Sequence, residues 1–430
     1  MSTIKRLERL TGDVKTERKE PFKKGVIGDL RRRIEAVMDR RHVTSQKPFL
    51  LHGKPLSLET LIRGEEVEND QGKFFVAHDF IPGSYHHGIR HLRMISNINM
   101  QALSLLANQP ELNDLHYTDA LFLDTETTGL SGGTGTLPFL IGMGWFEGEA
   151  FIIRQIFVRD FTEERASLTF FLEVAKTKRF LVTFNGKAFD VGLIAARLIM
   201  NRLHDSLSCL PHLDLLHPSR RLLGHRTDNS RLGTLEGVIL GIRREGDIPG
   251  SEIPRRYFDW LKSRDARFVA DVFEHNRLDV LSMVSLTMHL AEMLNDQRII
   301  DCPEPQDLMA ASKLLIDRGR IPDARCLLES LIDSDNATVA RESRKTLSLI
   351  YKRAGLWDKA IDIWELMIAD EPGNVFAVEE LAKWYEHRKR DFKKAQNLVH
   401  RALSFSRHMS DAERESLHHR LNRIQLRIDF

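Results

Sequence analysis

Two carboxylates on one face of a strand set the main constraint on how this chain folds. The segment Leu121-Phe122-Leu123-Asp124-Thr125-Glu126-Thr127-Thr128-Gly129-Leu130 begins as an apolar run and turns acidic. Residues i and i+2 of a strand share a face, so Asp124 and Glu126 project together at its end. Burying like charges side by side is costly unless a cation lies between them. Carboxylate oxygens are hard donors and favour Mg²⁺ or Mn²⁺. The segment therefore predicts a buried strand that ends at a metal-binding edge.

The flanking pattern predicts the rest of the layer. Apolar runs at Phe139–Phe146 and Phe151–Phe157 read as strands, and a helix is expected from Thr162, with Glu163 and Glu164 in its first turn. Phe180–Phe184 reads as a fourth strand ended by Asn185-Gly186. An apolar helix runs through Leu193–Met200, a short strand lies near Leu213–Leu216, and helices cover roughly 265–295. The order βββαβα, followed by further β and α, predicts an α/β domain over 116–298 with a mixed sheet flanked by helices. A chain of 430 residues, 42% hydrophobic and 29% charged, can bury real cores in about two to four units.

Composition also excludes several classes. Cys209, Cys302 and Cys326 are widely spaced and form no CxxC, so neither a disulfide framework nor a thiolate zinc site is available. No apolar run approaches the roughly 18–20 residues of a membrane span, and the N-terminus lacks the apolar core of a secretory signal. The expected location is the cytoplasm, with no membrane partner.

Two later segments extend the acidic set. Phe184-Asn185-Gly186-Lys187-Ala188-Phe189-Asp190 places an aspartate just inside an otherwise apolar helix. Phe273-Glu274-His275-Asn276-Arg277-Leu278-Asp279 puts His275 and Asp279 four residues apart, on one face of a helix whose apolar continuation Val280–Leu290 packs inward.

In this order the segments resemble the motifs of the DEDD 3′–5′ exonuclease superfamily, which has an RNase H-like fold. Asp124 and Glu126 match the first motif, Asp190 the second and Asp279 the third. The run from Pro211-His212-Leu213-Asp214 through Arg220-Arg221 and Leu235-Glu236 to Ile248-Pro249-Gly250 resembles one bacterial branch, RNase H-like proteins with C-terminal tetratricopeptide repeats. The resemblance implies a metal-dependent nuclease that hydrolyses phosphodiester bonds of DNA or RNA. Asp124, Glu126, Asp190 and Asp279 would hold two divalent cations, Mg²⁺ or Mn²⁺, with His275 as general base. Thr127, Asn185 and Lys187 would contact the nucleic acid. The third motif usually carries Tyr four residues, or His five residues, before its aspartate; here His275 stands four before Asp279.

Residues 303–430 read as an all-α solenoid. Ala324, Ala360 and Ala395 recur 36 and 35 residues apart, and Leu347, Tyr351, Gly355, Ala360, Trp364 and Pro372 stand at tetratricopeptide offsets. Such a module implies a protein partner. The rival to an enzyme is an adaptor that recruits partners through these repeats, with a nuclease fold that only binds nucleic acid.

Residues 1–115 read as a basic, partly disordered extension. Tyr85–His91, with three histidines but no carboxylate or cysteine at ligand spacing, reads as a polar surface loop. The glycine-rich stretch Gly129–Gly135 reads equally as a phosphate cradle or a tight turn. Residues 1–45 hold 13 Lys/Arg against 7 Asp/Glu. If that arm holds phosphates, deleting it should weaken nucleic-acid binding and flatten its salt dependence. An unchanged slope of log Kd against log salt would make it a tail.

Overall fold

A computed structural model describes residues 53–129, 135–294, 304–405 and 409–428. The chain divides into two compact units. Met1–Lys54 with Ser131–Thr136 forms one, and Pro55–Leu130 with Leu137–Phe430 forms the other, which carries every element named below. The basic arm, most of the glycine-rich stretch and the segment 295–303 lie outside the described residues.

The second unit is built on a seven-stranded sheet. Its strands are β1 (Gly64–Asn69), β2 (Gly72–Ile81), β3 (Ala120–Thr127), β4 (Pro138–Glu147), β5 (Ala150–Phe157), β6 (Phe180–Thr183) and β7 (His212–Asp214). Their order is β1-β2-β5-β4-β3-β6-β7. The first five neighbours pair antiparallel, whereas β6 and β7 join β3 in parallel. The mixed sheet expected over 116–298 is therefore present. It also extends further towards the N-terminus, because β1 and β2 belong to it. Phe74 and Phe75 of β2 are both fully buried, on opposite faces, which ties this hairpin to the core rather than leaving it as an extension.

Alternation along β3 assigns the faces. Phe122 packs into one apolar cluster, whereas Leu121 and Leu123 pack into the other. Helices α1 (Met100–Ala107), α4 (Leu216–Leu223) and α6 (Ala270–Glu292) cover the Phe122 side. Helices α2 (Glu164–Ala175) and α3 (Asp190–Met200) cover the other, while α5 (Ile253–Ser263) precedes α6. The apolar stretch Val280–Leu290 makes α6 the central helix, with Ser282, Ser285 and Thr287 buried among the aliphatics. Two glycines admit it. A Cβ on Gly142 would overlap the Asn276 carboxamide, and one on Gly144 would overlap Val280 and the Phe151 ring.

The segment Tyr85–His91 is only partly a surface loop: Tyr85, His86 and Ile89 are exposed, whereas His87 and Arg90 are buried. His86–His87 and Arg90–His91 pair as a small hairpin against α6. His87 is buried, with Nε2 2.8 Å from Ser282 Oγ, and its backbone carbonyl accepts from Ser285 Oγ at 3.2 Å. Buried Arg90 pairs with Glu292 (2.5 Å) and His289 (3.1 Å). These histidines serve packing, since the polar groups of α6 need partners once buried.

The C-terminal region is helical: α7 (Pro305–Asp317), α8 (Ile321–Glu329), α9 (Ala337–Arg353), α10 (Trp357–Asp370), α11 (Val375–Trp384), α12 (Phe392–Leu403) and α13 (Asp411–Ile428). Each helix packs on the next. Ala324, Ala360 and Ala395 are all fully buried, as close helix approach demands. Gly319, Gly355 and Arg390 turn the chain between α7 and α8, α9 and α10, and α11 and α12, all with left-handed backbone (φ 74°, 75° and 54°).

Helix α7 is shared between the two regions. Ala311 and Leu314 join the apolar cluster beneath α6, and α7 packs on α4. Asp307, 3% exposed, accepts from Arg226 Nε at 2.8 Å and contacts His225 Nε2 at 2.9 Å. Arg221 pairs with Asp317, and Arg318 Nε donates to the Leu105 carbonyl at 2.8 Å. Helix α7 therefore begins the helical region and also completes the core of the sheet region. Leu314→Ala should destabilise that region by about 2–5 kcal/mol, the usual cost of such a cavity. Native-state hydrogen exchange in β6 and β7 would report it; unchanged protection there would show that the two regions are energetically independent.

Candidate functional site

The acidic edge is assembled from four elements. Asp124 and Glu126 end β3, where a register shift at Glu126/Thr127 breaks the ladder. Both share the face of Phe122, towards α6. Asp124 pairs across the sheet with Gly142 and, one strand further, Gln155. Into the gap left by Gly142 comes Asn276, whose Nδ2 donates to Asp124 Oδ2 at 2.8 Å. Gln155 Nε2 donates to Asn276 Oδ1 at 2.8 Å and to the Phe273 carbonyl at 2.7 Å, so the carboxamide is oriented before it reaches Asp124.

Asp190 arrives from the opposite face. Thr125, which pairs with Ile141 on that side, donates its hydroxyl to Asp190 Oδ1, tying the first residue of α3 to β3. The turn before α3 is moulded by Asp214, at the end of β7. Its Oδ1 accepts from Asn185 N at 2.7 Å and from Leu216 N at 3.1 Å, and its Oδ2 accepts from Lys187 N at 3.0 Å. Asn185 takes left-handed backbone there (φ 67°). Asp214 is thus structural, and it presents an exposed Lys187 beside the site. Thr127 donates its hydroxyl to the Gly129 carbonyl at 2.9 Å, closing the strand end.

Helix α6 supplies the remaining groups. His275 Nε2 lies 3.9 Å from Glu126 Oε1 and 3.8 Å from Asp279 Oδ2. Its Nδ1 is 2.7 Å from Asp247 Oδ1. A carboxylate at Nδ1 favours the tautomer that donates from that nitrogen, which leaves Nε2 facing the acids as an acceptor. Asp279 Oδ1 accepts from Arg244, which also pairs with Glu236 and reaches Asp247 at 3.1 Å. Arg244, Asp247, Glu236, Asn276, Gln155 and Thr125 were not among the residues predicted from sequence.

Crowding governs the charges. Burial, reinforced by Asp279 and Asp190, pushes the Asp124 carboxyl well above the usual range. Burial also raises Glu126, helped by Asp124, Asp279, Asp190 and Asp247. Burial pushes Asp190 up to about 6, against the pull of the Thr125 hydrogen bond. Among the described residues no lysine or arginine forms an ion pair with Asp124, Glu126 or Asp190. Their chemistry suits a hard divalent cation: oxygen donors only, largely buried, mutually repelling and lacking a cation from the chain. As they stand, no three His, Cys, Asp or Glu side chains among the described residues converge closely enough to hold a metal ion.

A seven-stranded mixed sheet in which β6 and then β7 continue in parallel from one side of an acid-tipped β3 fits an RNase H-like fold. Residues 121–291 match the RNase H superfamily. The chain is also 33% identical over 356 residues to a Bacillus subtilis (strain 168) protein, "Uncharacterized protein YprB", covering 80% of this chain and 84% of that one. The chain belongs to the same family as that Bacillus protein, and its residues 121–291 form an RNase H superfamily domain. The superfamily points to nuclease chemistry. No helix among the described residues is long and apolar enough to cross a membrane.

The raised Asp190 predicts a pH effect on the metal-free protein. Its folded pKa lies above the ordinary 3.8, so its protonated form adds stability below about pH 4. That contribution is lost as pH rises through about 6. Above this the ionised group costs up to about 3 kcal/mol. In chelator, Asp190→Asn should therefore be more stable than wild type at pH 7, and the gap should close near pH 4. Thermal melts at both pH values test this; equal stability at pH 7 would show that Asp190 is not strained by its charge.

Proposed function

We propose that this protein is a metal-dependent nuclease, of the 3′–5′ exonuclease type, acting on DNA or RNA. The observation that carries the reading is the placing of Asp124, Glu126, Asp190, Asp279 and His275 around one end of β3, from three separate stretches of chain. Asp124, Glu126, Asp190 and Asp279 would hold two divalent cations, Mg²⁺ or Mn²⁺. When bound, these supply the charge neutralisation that phosphodiester cleavage needs.

The chain's own groups then have defined tasks. Asn276, itself oriented by Gln155, fixes one oxygen of Asp124 and so sets which oxygen remains for a ligand. His275, held at Nδ1 by Asp247, keeps Nε2 on the side of Glu126 and Asp279, where it can take a proton from the attacking water. Lys187, exposed on the turn fixed by Asp214, is placed to meet a phosphate, and Asn185 and Thr127 lie on the same rim. The helices α7–α13, with three matching left-handed turns, read as tetratricopeptide-type repeats and would offer a surface for a protein partner.

The test is Mn²⁺-dependent release of nucleotides from labelled DNA and RNA oligonucleotides, each with its 3′ or 5′ end blocked. Release should stop when the 3′ end is blocked. Asp190→Asn should abolish it while the protein stays folded. His275→Ala should slow it about 10²–10⁴-fold, the usual worth of a positioned base, with Mn²⁺ affinity little changed. Undiminished cleavage by Asp190→Asn would remove the site assignment, and no metal-dependent release by the wild type would favour the adaptor reading.

A further inference from the structure

The loop that closes over the acidic edge brings its own cation. Gly241 ends the helical segment Glu236–Leu240 with left-handed backbone (φ 67°), and the following residues return over α6. Arg244 then lies among three carboxylates. Its Nε donates to Glu236 Oε2 at 2.7 Å and its Nη1 to Asp247 Oδ2 at 3.1 Å. Its Nη2 donates to both Glu236 Oε1 and Asp279 Oδ1. The Arg244 side chain is 10% exposed and that of Glu236 only 1%. Burial alone would lower the pKa of Arg244, yet Asp279 and Glu236 hold it above its ordinary value, so the charge is permanent. Most of its N–H groups are committed to carboxylates, which argues against a guanidinium waiting for a phosphate.

We infer that Arg244 is an internal counter-ion that competes with a divalent cation for Asp279. The inference rests on reading the acidic edge as a metal site, and it makes that site unequal. Asp124, Glu126 and Asp190 have no lysine or arginine paired with them among the described residues, so a first cation meets no guanidinium or ammonium competitor there. A cation that uses Asp279 must take its Oδ1 from Arg244. The arginine can yield it without being stranded, because buried Glu236 grips it through both Nε and Nη2. Until it yields, the arginine offsets the repulsion between Asp279 and its acidic neighbours. Occupation of the Asp279 side then depends on cation concentration in a range set by one arginine.

The experiment is Mn²⁺ binding to the full chain without nucleic acid, read from the electron paramagnetic resonance of free Mn²⁺ and by calorimetry. Wild type should show a tighter and a weaker class of site, with the weaker class absent in Asp279→Asn. Arg244→Gln should tighten the weaker class by about tenfold or more, the usual worth of a charge-assisted hydrogen bond. Arg244→Lys should leave it near wild-type strength. Arg244→Gln strands the buried Glu236 charge, so Arg244→Gln with Glu236→Gln is measured beside it and should show the same tightening. A weaker class that is unchanged or loosened in both, with normal melting curves, would overturn the inference alone. If no bound Mn²⁺ is lost in Asp190→Asn, the metal reading itself fails and takes the inference with it.

Discussion

Helix α6 can lie directly on β4 only because β4 has no side chains at Gly142 and Gly144, and nearly everything in the site follows from that approach. With a methyl group at either position the helix would have to lift, since protein interiors leave no spare volume for it. Held close, it drops Asn276 into the gap left by Gly142 and connects Gln155 on β5 to Asp124 on β3 through one carboxamide. One helical turn carries His275 and Asp279 to the same edge as Glu126. The apolar half of α6, Val280 to Leu290, anchors this arrangement, so the position of the acids is set by burial of residues that take no part in chemistry.

The acids themselves oppose the fold. Burial and mutual repulsion hold Asp124, Glu126 and Asp190 at raised pKa values, a cost met by the large apolar clusters on both sheet faces. Two of them are restrained by a hydrogen bond rather than by an opposite charge: Asp124 by Asn276 and Asp190 by Thr125. Asp279 differs, because Arg244 faces it. Such a division of restraints keeps the groups in place while leaving most of their oxygens unshared.

How far all this was legible in the sequence depended on whether the signal was local. The period-two reading of β3 placed Asp124 and Glu126 on one face, and the i, i+4 spacing placed His275 beside Asp279, because strand and helix geometry alone fix those relations. Asp214 and Asp247 act through loops whose partners lie 27 to 29 residues away, and no periodicity reports such a contact. Gln155 left a clue, as a polar residue inside the apolar run Phe151–Phe157; its meaning needed α6. The β1–β2 hairpin was missed for a related reason. Its inner strand β2 pairs with β5, 70 or more residues onward, and the composition of both strands is mixed. His87 looked like surface because the buried Ser282 hydroxyl of α6 that partners it was not yet in view.

The sharing of α7 has a consequence for how the chain is made. Translation delivers β1 to β7 and α6 well before Ala311 and Leu314, which complete the apolar cluster beneath α6. Until residue 317 has cleared the ribosome, that cluster stays unsealed and Arg226 has no Asp307 to meet. An unsealed apolar surface on a nascent chain is an opportunity for misassembly and for chaperones. The RNase H-like region therefore matures only after the helical region has begun to appear, and a truncated transcript would leave it incompletely folded.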